Sequence, residues 1–105
     1  MLLKYEISID NHAIVFNLKR IINQIYKLLP SREEGLDWEK PLSTLIEEIA
    51  GMNNLLIGHQ EILFPLLCKL EGLFTLTEPK DFFLFRRTIF ECLSLVNELI
   101  KLCQN

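Results

Sequence analysis

The chain carries no Cys-x-x-Cys pair, no GxSxG or HExxH segment and no glycine-rich phosphate loop. The common arrangements for thiol redox chemistry, acyl transfer, zinc hydrolysis and nucleotide binding are therefore missing. Histidine is scarce. His12 and His59 have no histidine, cysteine or carboxylate three or four residues away to make half of a metal site. His12 reads as a helix-start residue and His59 as a turn residue; Glu61 lies two positions from His59, and residues two apart on a helix point to different sides. The glycines Gly35, Gly51, Gly58 and Gly72 are scattered punctuation. No catalytic residue, metal or cofactor is expected, and an enzyme is not expected.

Basic charge is also in short supply. Eleven Lys and Arg against fourteen Asp and Glu leave a net charge of −3, which speaks against a dedicated nucleic-acid or anionic-membrane binder. The greasiest window, Leu55 to Leu76, is broken by His59, Gln60, Glu61, Lys69 and Glu71. A membrane span needs roughly 20 apolar residues in succession, so a soluble protein is expected. The opening residues show no basic region followed by an apolar run, so no secretory signal is expected. Cys68, Cys92 and Cys103 are odd in number and lie in apolar-periodic segments, as free thiols packed like small hydrophobes do. A cytoplasmic setting follows from that usage.

What the chain does have is apolar mass at helical spacing. Half of its residues are apolar, with leucine and isoleucine well ahead of valine, a composition that favours helices. Phe82, Phe85, Ile89, Cys92, Val96, Leu99 and Cys103 step by three and four residues, which places one stripe along one long helix. The spacing predicts an all-α, compact four-helix bundle over a single domain, 1–105, with helices near residues 11–29, 38–57, 60–71 and 79–103 and the third helix short. Asp10 or Asn11 is the expected cap of the first helix and Asp37 that of the second. Pro30 is expected to end the first helix. Gly51 suggests a close backbone contact or a local break, with Gly58 the better terminator of the second helix.

Ahead of the helices, Leu3, Tyr5, Ile7 and Ile9 alternate with Lys4, Glu6, Ser8 and Asp10. That period of two predicts a short strand-like N-terminal arm. A lone strand needs a partner, either the alternating segment Leu73 to Thr77 or the same strand of a second subunit.

Two surface features bear on function. From Ser31 to Glu61 the basic residues Arg32 and Lys40 are outnumbered by Glu33, Glu34, Asp37, Glu39, Glu47, Glu48 and Glu61. Such an acidic segment can face a basic partner, or be a solvated surface that favours a helix start. Second, Phe82, Phe83, Leu84 and Phe85 are consecutive, and four residues at about 100° each sweep most of the way round a helix. One core cannot cover them all, so a loop, the N-terminal arm or another subunit is expected to.

These features point to a non-enzymatic protein acting by protein–protein interaction, as an adaptor, regulator or inhibitor. A homodimer, a protein partner with a basic surface, or both, are the expected partners. Candidate contact residues are Glu33, Glu34, Asp37, Trp38 and Glu39 at one corner, and Phe83, Arg86 and Arg87 on the last helix. Trp38 reads either as an anchor ringed by charge or as a staple folded onto the bundle. Within the inhibitor class, a phage or mobile-element protein docking on a nuclease or nucleic-acid-binding machine fits the size and charge. Alternatives are a small-molecule-binding bundle with a pocket among the phenylalanines, and a weak nucleic-acid binder through Lys80, Arg86 and Arg87.

Overall fold

The computed structural model describes the backbone of residues 2–54, 56 and 58–104, and side chains from residue 12 onward except at 54. Among the described residues it contains four α-helices: α1 (Leu2–Glu33), α2 (Glu39–Gly51), α3 (Gln60–Gly72) and α4 (Phe82–Gln104). Short 3-10 turns at Met52–Asn54, Leu73–Thr75 and Pro79–Asp81 fill the connectors. α1 packs on α2 and α4, and α3 packs on α2 and α4, so chain neighbours are spatial neighbours round a closed ring. The all-α four-helix bundle is the architecture observed, with α2 and α3 equally short at 13 residues each.

All four helices send an apolar stripe into the core, with Phe82 and Cys103 at the ends of the predicted α4 stripe only partly buried. From α1 come Ile14, Leu18, Ile21, Ile25 and Leu28, from α2 Leu42, Leu45 and Ile49, and from α3 Ile62, Leu63, Leu66 and Leu70. α4 supplies Phe85, Ile89, Cys92, Val96 and Leu99, all without exposed surface. Its two most extensive contacts, with α1 and α3, explain why one helix carries so long a sealed stripe.

The N-terminal arm differs from expectation: residues 2–10 are helical and continue directly into α1, with no strand among the described residues. Alternation over 3, 5, 7 and 9 also contains the i, i+4 pairs 3/7 and 5/9 of a helix. The segment expected to pair with it contains the 3-10 turn Leu73–Thr75. Without a ladder, a helix is how a backbone satisfies its own amides and carbonyls locally. Asp10 and Asn11 consequently lie inside α1 and end nothing.

Pro30 does not end α1 either. It removes one amide from the last turns, but the helix runs on to Glu33. Termination comes at Gly35, whose φ of 74° is open to glycine at little cost. There the Leu36 N–H donates to the Ser31 carbonyl (2.8 Å) and the Gly35 N–H to that of Arg32 (3.2 Å). This pair of bonds is a Schellman closure. At the other side of the connector, Asp37 Oδ1 accepts from the amides of Glu39 (3.1 Å) and Lys40 (3.2 Å), so the predicted cap of α2 is in place.

α2 ends at Gly51, earlier than residue 57. A Cβ at Gly51 would meet nothing within 4 Å, so this glycine marks a local break and no close contact. Of the remainder of the expected second helix, Met52–Asn54 form a 3-10 turn and Leu56 a bend, while residues 55 and 57 lie outside the described residues. α4 enters through Pro79–Asp81, where Asp81 Oδ2 accepts from the Glu78 N–H at 3.2 Å, a box that fixes the helix start.

Candidate interaction surface

The eight candidate residues fall into two groups. Phe83, Arg86 and Arg87 lie together on the outer face of α4, and the structure adds Phe90 to them. The phenylalanines are seven positions apart, which repeats a helical face about 10.5 Å along the axis. Phe83 is 78% exposed and Phe90 42%. The Arg86 guanidinium lies 5.2 Å from the centre of the Phe90 ring, which keeps both groups extended along the surface. Arg87 Nε stands 3.7 Å from Glu91, and Lys69 of α3 also reaches Glu91, at 3.2 Å. Phe83, Arg86, Arg87, Phe90, Glu91 and Ser94 line a shallow concavity of about 570 Å³.

The second group is the corner where α1 hands over to α2. Glu33, Glu34 and Glu39 are exposed there. Asp37 is committed to the amides of α2, so its carboxylate has a structural partner. Trp38 is turned inward. Its ring stacks at 6.4 Å on Phe74 and meets the edge of Phe85 at 5.0 Å, as a staple of loop to core. The exposed apolar group at this corner is Leu36, at 57%.

Arg32 holds the corner together, and nothing local in the sequence marks it. It donates from Nε (3.2 Å) and Nη2 (2.8 Å) to the Leu76 carbonyl, and from Nη2 to the Glu78 carbonyl at 2.8 Å. Its guanidinium also lies 5.3 Å from the Phe82 ring centre and 4.8 Å from that of Phe85. Arginine's planar fork is suited to bridging two carbonyls while stacking on rings. One side chain thus ties the end of α1 to the connector before α4. The acidic corner and the start of α4 are fixed relative to each other.

Elsewhere, Arg20 of α1 pairs with Glu48 of α2, so this acidic residue of α2 is already answered within the chain. A groove of about 530 Å³ between α1 and α2 is floored by Leu28, Pro41 and Leu45 and edged by Lys27, Asp37 and Lys40. No phenylalanine lines it. Phe16 and Phe64 are exposed singly on α1 and α3, at 69% and 54%. Among the described residues no three His, Cys, Asp or Glu side chains stand close enough to hold a metal ion, and no helix is long and apolar enough to cross a membrane.

The cysteines differ sharply in setting. Cys92 has no exposed surface, and burial pushes its thiol up to about 12, with Lys69 acting in the opposite direction. Burial raises Cys103 as well, while Cys68 is exposed on α3. Because the thiolate is the reactive form, alkylation of the native chain near neutral pH is expected to label Cys68 first and leave Cys92 unmodified until denaturant is added. Mass spectrometry of the labelled peptides checks this, and fast native labelling of Cys92 is the opposing result.

Comparison with protein-family models, with curated proteins and with solved structures finds no match for this chain.

Proposed function

We propose that the protein acts without catalysis, by binding another protein through the outer face of α4, as an adaptor, regulator or inhibitor. The observation that carries this reading is Phe83, Arg86, Arg87 and Phe90 on one exposed helical face, with Phe83 78% exposed. A phenylalanine left in water forgoes about 1.5–3 kcal/mol of burial free energy. Two of them flanking arginines make the composition that interface centres favour. The exposed carboxylates at the neighbouring corner supply a second, oppositely charged patch that steers a basic surface toward it. A nucleic-acid-binding protein is one class of partner with such a surface, which keeps the inhibitor role within this reading.

The test is affinity capture from a lysate of the source cells with wild-type bait and with a Phe83→Ser, Phe90→Ser double variant. Both positions are exposed, so the variant is expected to melt like the wild type. The wild type is expected to retain a protein in stoichiometric amount and the variant to lose it. Equal capture by both, or none by either, contradicts the proposal.

A further inference from the structure

We infer that the protein seated on the outer face of α4 is a second copy of this chain, docking through its acidic corner, with the symmetry-related contact made at the same time. The inference rests on the reading of that face as a protein-binding surface, and names its occupant.

Charge is the first argument. The α4 face presents Arg86 and Arg87, while the corner presents Glu33, Glu34 and Glu39 in exposed positions. Glu91 on the face and Lys40 at the corner temper each patch, but the net signs stay opposite, and opposite patches brought together both steer and select their partner. Shape is the second. The corner's exposed apolar side chain is Leu36, and the shallow α4 saddle has the rings of Phe83 and Phe90 as its apolar part, beside Arg86, Arg87, Glu91 and Ser94. A leucine among carboxylates placed against two phenylalanines among arginines matches apolar to apolar and charge to charge.

Closure is the third argument. Phe82 lines the cleft at the acidic corner, together with Leu36 and Glu33, and the next residue, Phe83, begins the α4 saddle. The two patches therefore start at consecutive residues of one helix. Complementary patches side by side can each meet the other's counterpart across a two-fold axis, which closes the assembly at two copies. Patches remote from each other would instead build an open chain.

The decisive experiment is a charge swap followed by sedimentation equilibrium over the micromolar range, with melting curves to confirm that each variant folds. The corner variant is Glu33→Arg, Glu34→Arg and the face variant is Arg86→Glu, Arg87→Glu. Wild type is expected to be dimeric. Each variant alone places like charges at both contacts and is expected to associate about a hundredfold more weakly or worse. An equimolar mixture restores opposite charges at both contacts, and is expected to form a dimer of one copy of each. A variant carrying all four substitutions is expected to dimerise with itself by the same logic. A strictly monomeric wild type, a single-patch variant that dimerises like wild type, or a mixture that stays monomeric overturns the inference. A monomeric wild type that still loses a captured protein on Phe83→Ser, Phe90→Ser substitution leaves the protein-binding reading standing and removes only the second copy.

Discussion

Val96→Asp is expected to unfold the chain, and Ile89→Asp to do the same. Both side chains are without exposed surface on the stripe of α4, which packs against α1 and α3 together. A carboxylate at either position has no cation or hydrogen-bond donor prepared for it. It must be buried unpaired, be neutralised, or force the helices apart, and each route costs several kcal/mol. A domain of this size has only about 5–15 kcal/mol in hand. The control is Asn97→Asp, one residue on and exposed, expected to change stability by no more than about 0.5 kcal/mol. Circular dichroism melts of the three variants decide the matter. Retention of the wild-type melting curve by Val96→Asp means that α4 is not the centre of the core.

Trp38→Ala is expected to cost about 3 kcal/mol and to lower Tm by more than about 10 °C. The ring is clasped between Phe74 and Phe85, and Phe85 is itself under the Arg32 guanidinium. Removing the indole opens space at the junction where three segments of the chain are joined. Leu36, two residues away and 57% exposed, provides the contrast: Leu36→Ala is expected to leave Tm nearly unchanged and to weaken association. Melting curves for the two substitutions separate the staple from the contact residue. A Trp38→Ala variant with wild-type Tm contradicts the packing described for the corner.

The sequence was most legible where periodicity and chain punctuation agree. α4 was expected near 79–103, and the entry turn Pro79–Asp81 and the helix Phe82–Gln104 occupy that stretch, because the step of three and four residues never breaks. α3, Gln60–Gly72, runs from the turn at His59 to Gly72 as the chain punctuation predicts. Error entered where one pattern serves two geometries. Leu3, Tyr5, Ile7 and Ile9 alternate as a strand would, yet they also contain helical i, i+4 pairs. Which pattern wins depends on whether a strand partner exists elsewhere. Pro30 is a weak stop signal in this setting, since proline near a helix end deletes one bond and leaves later turns free to form.

At the candidate surface, residues defined by local spacing could be found and those defined by distant partners could not. Phe83, Arg86 and Arg87 are neighbours in sequence. Phe90 was within reach of the same reasoning, since it follows Phe83 by seven residues and lies off the buried stripe. Arg32 was not within reach. Its acceptors, the carbonyls of Leu76 and Glu78, are 44 and 46 residues away, and no local pattern reports such a contact. Asp37 illustrates a residue whose acidic charge suggested a partner while its position before a helix assigned it to the backbone; the cap hydrogen bonds show where its oxygen goes. Trp38 followed the second of its two readings for an analogous reason. Its neighbours in the chain are polar, but its neighbours in space are Phe74 and Phe85.

The inner stripe of α4 builds the bundle, and its outer stripe is proposed to bind protein. Hydroxyl-radical footprinting of the exposed phenylalanines, in the free and associated states, tests that division within a single measurement. Phe83 and Phe90 are expected to lose reactivity on association, while Phe16 and Phe64, exposed on other helices, keep theirs and Phe85 stays unreactive in both states. Protection that falls on Phe16 or Phe64 and leaves Phe83 and Phe90 as reactive as before contradicts the assignment of α4 as the binding face.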